Sequence, residues 1–167
     1  MTRRHKTVSS LQGQLKGDII EAIQNEVADV AIKTVQDYLR SRVYDVYMPK
    51  GEFAYDRTFE LLDSVTVGNV KMGSKYVHFD IFMDTEKIGS YVTGTGEWNQ
   101  HASHPDKESI DVSEYIPLWV EEGTEGSIWD REGAHYMEQS WIELDGGKLA
   151  QEFANRLRQK GWKVIRQ

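Results

Sequence analysis

The clearest pattern in the chain is a run of apolar residues that recur at three- and four-residue steps after Asp18. These positions are Ile19, Ile20, Ile23, Val27, Val30, Ala31, Val35, Tyr38 and Leu39. Such spacing places them on one face of an amphipathic helix, and the carboxylate of Asp18 suits the N-cap position. We therefore predict a helix from Asp18 to about Tyr44, roughly 40 Å long at about 1.5 Å per residue. The polar residues 1–15 predict a flexible N-terminal arm.

Two short runs of alternating residues follow and predict a β-hairpin. Apolar and polar residues alternate over 65–72, and more clearly over 76–83, which is the period of a half-buried strand. Gly73 and Ser74 lie between the two runs and suit a tight turn. Residues 57–65 predict a short second helix that precedes the hairpin.

Beyond the hairpin the signals alternate between loop and helix. Residues 84–112 are rich in glycine and polar side chains, and they predict a long loop of the kind that carries function or orders on binding. A short helix through Val120 is predicted next, with Asp111 or Ser113 as its cap.

The C-terminal part predicts a further helix from Gly147 to Lys160, ended by Gly161. Helix, hairpin and helix in that order predict an α+β fold: a long N-terminal helix packed on a small antiparallel sheet, with a C-terminal helix. A chain of 167 residues suits one domain, which we predict for residues 16–167 after the arm.

Composition limits the cellular compartments and the binding partners that are possible for this protein. The chain has no cysteine, which excludes disulfides, thiolate metal ligands and cysteine nucleophiles and fits synthesis in a reducing cytoplasm. No apolar run reaches the roughly 18 residues of a membrane span, and the first residues lack the apolar stretch of a signal peptide. The net charge of −7 opposes tight binding to the phosphate backbone of nucleic acids.

One cluster of residues has the chemistry of a metal site: His101, His104, Asp106 and Glu108. Two imidazoles and two carboxylates so close in sequence could hold zinc or manganese. The segment is polar and flanked by glycines, however, and Pro105 excludes a continuous helix that would fix the ligands. We predict a solvated loop here, with a metal-dependent hydrolase as the open alternative. Because a phosphate-binding loop and a nucleophile elbow are also missing, we predict no enzyme, no cofactor and no metal.

Three segments resemble, in order, the neck and tail-completion family of siphophages and related prophages. Residues 55–64 look like the family's R-T-G-x-L-x-x-S turn and short helix, with Phe59 in place of the usual glycine, which allows a different backbone turn. Residues 115–124 resemble the Y-A-x-x-V-E-x-G-T signature, with Glu122 where an aromatic residue is usual. Residues 134–141 are similar to the A-R-P-F-M-x-x-A-F segment that leads into a last helix, without its Arg-Pro pair.

The resemblance implies a virion structural protein at the head–tail junction, made in the host bacterial cytoplasm. It implies a ring that joins the head connector to the tail. The partners are then connector or head-completion proteins, tail proteins and other copies of this chain. Genomic DNA would pass through the ring lumen without specific binding, and no membrane is involved. Two further readings stay open: a terminator of the tail tube, and an acidic regulator of a host protein.

Contact residues are expected in the signature segment and in the long loop. Aromatic side chains are concentrated at protein–protein interfaces, so those outside the two longer helices are candidates for anchors on neighbouring subunits. The predicted contact residues are Trp98, His101, His104, Tyr115, Trp119, Glu121 and Thr124.

Overall fold

A computed structural model of the protein describes residues 7–46, 59–74, 76–89, 92–93, 110–111, 113–125 and 131–165. The fold is α+β, as predicted, with a long N-terminal helix, small antiparallel strand pairs and a C-terminal helix. The α-helices are α1 (Val8–Ala22), α2 (Ala28–Leu39), α3 (Glu60–Asp63), α4 (Ile116–Glu122), α5 (Tyr136–Glu143) and α6 (Leu149–Gln159). The strands are β1 (Val65–Val67), β2 (Lys71–Met72), β3 (Val77–His78), β4 (Ile81–Met83), β5 (Val92–Thr93), β6 (Ile110–Asp111), β7 (Gly123–Thr124) and β8 (Arg131–Glu132).

Contacts divide the chain into two compact units. The first unit comprises residues 1–34, 67–81 and 141–167, and the second comprises residues 35–66 and 82–140. The buried apolar residues of the first unit include Ala22, Ile23, Val27, Ala28, Ala31, Leu144 and Leu157, and those of the second include Val35, Leu39, Leu61, Leu62, Val65, Ile88, Val120, Ala134 and Tyr136. Each unit thus has apolar burial of its own. The single domain over 16–167 stays a prediction.

The N-terminal helix begins earlier than the sequence predicted. Its first residue is Val8, and the side chain of Thr7 caps it by accepting a hydrogen bond from the backbone N–H of Ser10 at 3.2 Å. The prediction of a flexible arm is therefore wrong for residues 8–15, because their polar composition concealed a helix that Thr7 caps. Residues 1–6 lie outside the described part of the chain. A π-helical turn, Ile23–Val27, follows α1, and a second, Arg40–Tyr44, follows α2, so the predicted end at Tyr44 is confirmed.

Asp18 is buried in the middle of α1 and is not an N-cap. Its carboxylate accepts a hydrogen bond from the indole Nε1 of Trp162 at 2.9 Å and lies 3.6 Å from the Nζ of Lys160. Lys160 also pairs with Glu21 at 2.8 Å, and this hydrogen bond is the largest cause that raises the pKa of the lysine. These contacts attach the residues that follow α6 to α1, within the first unit.

The C-terminal helix ends as predicted at Gly161. This glycine has a φ of 90°, the left-handed region that glycine occupies without steric cost. The N–H of Trp162 bonds the carbonyl of Leu157 at 3.0 Å, and that of Gly161 bonds the carbonyl of Arg158 at 2.9 Å. These two bonds form a Schellman motif. The helix starts at Leu149, after a kink within Leu144–Lys148 at which Gly147 has a non-helical φ of 109°.

The predicted hairpin is present and is broken into short strands. β2 pairs with β3 in antiparallel register, Met72 opposite Val77, and the N–H of Gly73 bonds the carbonyl of Tyr76 at 2.8 Å. β1 pairs with β4. Glycine, asparagine and aspartate separate the short strands along the chain, and these residues are depleted in strands.

The segment predicted as a long loop is only partly irregular. A 3₁₀ turn occupies Thr85–Lys87, and β5 pairs with β6 in antiparallel register, with Val92 opposite Asp111. Residues 94–109 between those strands lie outside the described part of the chain. The prediction of a loop over all of 84–112 is therefore wrong at both of its ends, because main-chain pairing there is not visible in composition.

Phe59 retains the backbone turn that glycine would make. Its φ is 59° and its ψ is 9°, which is the left-handed region. Its carbonyl accepts hydrogen bonds from the N–H groups of Leu62 and Asp63 at 2.9 and 3.1 Å and so starts α3. The ring stacks on that of Tyr44, with centroids 4.8 Å apart. Stacking of this kind is worth roughly 0.5–1.5 kcal/mol, about the size of the left-handed penalty of roughly 1–2 kcal/mol.

Glycine and alanine at position 59 separate these two effects. Both Phe59→Gly and Phe59→Ala remove the stack on Tyr44, and only glycine also relieves the left-handed strain. We expect the glycine variant to be more stable by about 1 kcal/mol, measured by urea unfolding. Asp63 is the control position, because its backbone is right-handed and helical. There, Asp63→Ala should be more stable than Asp63→Gly. Greater stability of Phe59→Ala than of Phe59→Gly would contradict the left-handed turn.

Candidate interaction surface

α4 is a short helix whose two faces differ sharply. A 3₁₀ turn, Ser113–Tyr115, leads into it, and Pro117 occupies the first helical turn, where its missing N–H costs no hydrogen bond. Pro117 and Val120 are buried. The predicted short helix through Val120 is confirmed, and it fixes which side chains of the Tyr115–Thr124 signature point into the core.

The opposite face of this segment carries an aromatic ridge, which we define as Tyr115, Leu118 and Trp119. Their exposed fractions are 49%, 51% and 38%. The spacing of three and four residues places them side by side on one helical face. The rings of Tyr115 and Trp119 stack with centroids 5.8 Å apart and planes 22° apart. Large apolar side chains are thus held in one arrangement at the surface of the second unit.

Glu121 attaches the end of α4 to the start of α5. One carboxylate oxygen accepts the backbone N–H of Met137 at 2.9 Å, and the other accepts that of Glu138 at 3.0 Å. The first N–H groups of a helix have no partner within the helix, and the positive end of its dipole favours a negative charge. Glu121 therefore acts as an N-cap supplied from a distant part of the sequence. We call this contact the Glu121 clamp.

Main-chain contacts and two glycines reinforce the clamp. The N–H of Ala134 bonds the carbonyl of Val120 at 2.9 Å, and β7 pairs with β8 in antiparallel register. Gly123 has a φ of 91°, which favours glycine. A Cβ added to Gly133 would come within 2.5 Å of the carbonyl oxygen of Glu121. Both glycines are required for this close approach of two chain segments.

Tyr136 supports α4 from the side of α5. It is almost fully buried, and its hydroxyl donates a hydrogen bond to the carbonyl of Pro117 at 3.3 Å. Burial is the largest cause that raises the pKa of this hydroxyl, followed by the charge of Glu121. The side chain therefore stays a neutral donor. Nearby, the guanidinium of Arg42 donates to the carbonyl of Ala134 at 3.3 Å and so links the end of the N-terminal helix to the same cluster.

The predicted contact residues have different outcomes. Trp98, His101 and His104 lie outside the described residues, as do Asp106 and Glu108 of the candidate metal cluster. Among the residues that the structure describes, no three His, Cys, Asp or Glu side chains could hold a metal ion.

The other four predicted residues lie in or beside α4. Tyr115 and Trp119 are exposed on the ridge, whereas Glu121 uses both carboxylate oxygens within the chain. Thr124 is half-buried in β7, opposite Arg131. Leu118 lies in the segment in which contacts were predicted but was not among the residues named singly, although its position three residues after Tyr115 was a usable signal. A contact role for each of these residues stays a prediction.

In a comparison with known families, the chain matches the model of the YomN family over residues 7–159. The chain belongs to the YomN family. This family is of Bacillus phage and prophage origin, so the predicted relation to bacteriophages is confirmed at that level. No curated protein and no solved structure matches the chain.

The YomN match begins and ends at the boundaries of helices. It begins at Thr7, the N-cap of α1, and ends at Gln159, the last residue of α6. It therefore covers both units, including the Glu121 clamp and the aromatic ridge. Within the described residues, no helix is both long and apolar enough to cross a membrane.

The clamp makes a prediction about stability. Glu121→Ala leaves two helix N–H groups without their acceptor and should lower the free energy of unfolding by about 2 kcal/mol. Glu121→Gln keeps one acceptor oxygen and loses the charge, so we expect about half that loss. Glu122→Ala is the matched control, because its side chain is exposed and its removal should change stability by less than about 0.5 kcal/mol. Urea unfolding of the three variants checks this order, and equal losses for the two alanine variants would contradict the clamp.

Proposed function

We propose that this YomN-family protein is a structural component of a phage virion that acts at the head–tail interface, as a neck or tail-completion protein within a ring. The observation that carries the proposal is the aromatic ridge, which lies on the segment that resembles the tail-completion signature. The relation of the family to phages supports the setting. In this proposal the protein works by contact and catalyses no reaction.

The ridge has the properties of an interface anchor. Tyr115 and Trp119 are residue types that dominate binding energy at interfaces, and their mutual stacking limits the conformations that they can adopt. Rigid side chains lose little entropy on binding, so more of the burial energy remains as affinity. The Glu121 clamp and the hydroxyl of Tyr136 hold the backbone beneath the ridge. This arrangement suits a subunit that must present one fixed surface to its neighbours.

The acidic composition fits the proposed passage of DNA. With a net charge of −7, the chain repels the phosphate backbone overall, so a genome could move through a ring of such subunits without adhering to it. The proposed partners are connector or head-completion proteins, tail proteins and further copies of the chain. The proposed location is the head–tail junction of the virion, after synthesis in the host cytoplasm. A tail-tube terminator is the alternative, since the ridge would equally serve to join the subunits of a ring at the end of the tail tube.

Electron microscopy of lysates from a phage or prophage that lacks this gene tests the proposal. We expect separate DNA-filled heads and finished tails, whereas tails of abnormal length would instead support the terminator alternative. Intact infectious particles would contradict both structural roles and favour a host-directed regulator.

Complementation of the deletion then tests the ridge. Leu118→Ala/Trp119→Ala should restore infectious particles at least about tenfold less well than wild type, because interface anchors contribute about 2 kcal/mol or more each. Trp141→Ala/Ile142→Ala removes the same kinds of exposed side chain from α5 and is the matched control. Equal titres for the two double variants, with both proteins present at wild-type levels, would remove the ridge from the proposal.

A further inference from the structure

The two units of the chain differ in charge. Among the described residues, the first unit contains 8 Lys and Arg residues against 8 Asp and Glu, a formal charge of zero. The described residues of the second unit contain 4 Lys and Arg against 13 Asp and Glu, a formal charge of −9. The net value of −7 conceals this difference, which the sequence order also hides because each unit is assembled from distant segments.

The first unit contains an open apolar groove of about 740 Å³. Its walls come from α1, the β2–β3 hairpin and α6, and they include Leu15, Ile19, Met72, Phe79 and Leu149. A volume of this size is typical of a binding cleft. Grooves lined by apolar side chains receive a helix through anchors spaced by three and four residues.

The aromatic ridge of the acidic unit has that spacing. Tyr115, Leu118 and Trp119 stand at relative positions 0, 3 and 4, and Glu122 continues the same face one turn later. Glu114 and Glu122 are both exposed and flank the ridge. On the groove, Lys16 is exposed and forms part of the lining, and exposed Lys71 precedes Met72 on β2. Apolar shape and flanking charge are therefore complementary between the two surfaces.

We propose that copies of this chain associate head to tail, with the aromatic ridge of one copy bound in the groove of the next. This head-to-tail contact rests on the proposed function for the purpose of the assembly. It adds to that function the two surfaces that join neighbouring subunits. Such a contact uses different surfaces on its two partners and so can continue from copy to copy into a closed ring.

The charges of the two surfaces also disfavour a symmetric dimer, in which both copies would use the same surface. A two-fold dimer through the ridges would bring two acidic units together, and one through the grooves would bring the exposed Lys16 and Lys71 of both copies to the same interface. Like-charge juxtaposition of this kind disfavours association, whereas opposite patches attract and align. The head-to-tail contact avoids both repulsions.

Disulfide trapping tests the contact, because the chain has no cysteine of its own. One variant carries Leu118→Cys on the ridge and another carries Ala150→Cys at an exposed position of the groove lining. A disulfide needs Cα atoms within about 7 Å, so a mixture of the two purified proteins should give the 118–150 heterodimer as its main product under mild oxidation. Phe82→Cys replaces the ridge variant in the control, since Phe82 is an exposed apolar residue of the same unit.

The products decide between the arrangements. A 118–150 product at least about tenfold above the 82–150 control supports the proposal. A dominant 118–118 product would overturn it in favour of a symmetric ridge contact, and equal yields for the two mixtures would overturn it altogether. This test is separate from the test of the head–tail role. If the 118–150 cross-link does not form while the gene deletion still leaves heads and tails separate, the contact alone is rejected.

The contribution of charge to the contact can be measured in the same assay. The Debye length falls from about 10 Å to about 3 Å as salt rises from about 0.1 M to about 1 M. If charge guides the contact, the rate of formation of the 118–150 product should fall several-fold over that range, and Lys16→Glu should lower it already at low salt. A rate that is insensitive to both changes would contradict the role given to the opposite charges.

Discussion

The arrangement of the second unit depends on one constraint: the first N–H groups of α5 need an acceptor that α5 cannot supply. Glu121 provides it from the end of α4. A carboxylate there is unfavourable for α4, whose own C-terminal end carries negative partial charge, yet α4 is only 7 residues long. Two charge-assisted hydrogen bonds at the positive end of α5 outweigh that penalty. With the two helices joined in this way, burial of Pro117 and Val120 leaves the aromatic ridge at the surface.

The elements that depend on local pattern could be predicted from the sequence. Apolar periodicity gave the course of the N-terminal helix to Tyr44, and Gly161 marked the end of α6, because a left-handed residue at that site is a local requirement. The helix start at Val8 was missed, since Thr7 resembles an ordinary polar loop residue until its side chain is seen to cap Ser10. The paired ends of the segment 84–112 were missed because a two-residue strand pair leaves no pattern in composition.

The candidate surface could be predicted only in part for a related reason. Tyr115 and Trp119 were identified because large aromatics in a short motif stand out, and the structure exposes both. The role of Glu121 could not be derived, since its two partners are 16 and 17 residues away and belong to a helix that the sequence analysis did not define. The acidic character of the second unit was equally hidden, because it emerges only when the fold gathers distant segments into two units.

In the proposed function, this YomN-family chain is a built-in part of the virion. Quantitative mass spectrometry of virions purified through a density gradient tests it most directly, with antibody labelling to locate the chain on each particle. We expect several copies per particle, at a constant ratio to the major head protein, with label at the head–tail junction. A chain that is abundant in the lysate and absent from the purified particles would contradict it.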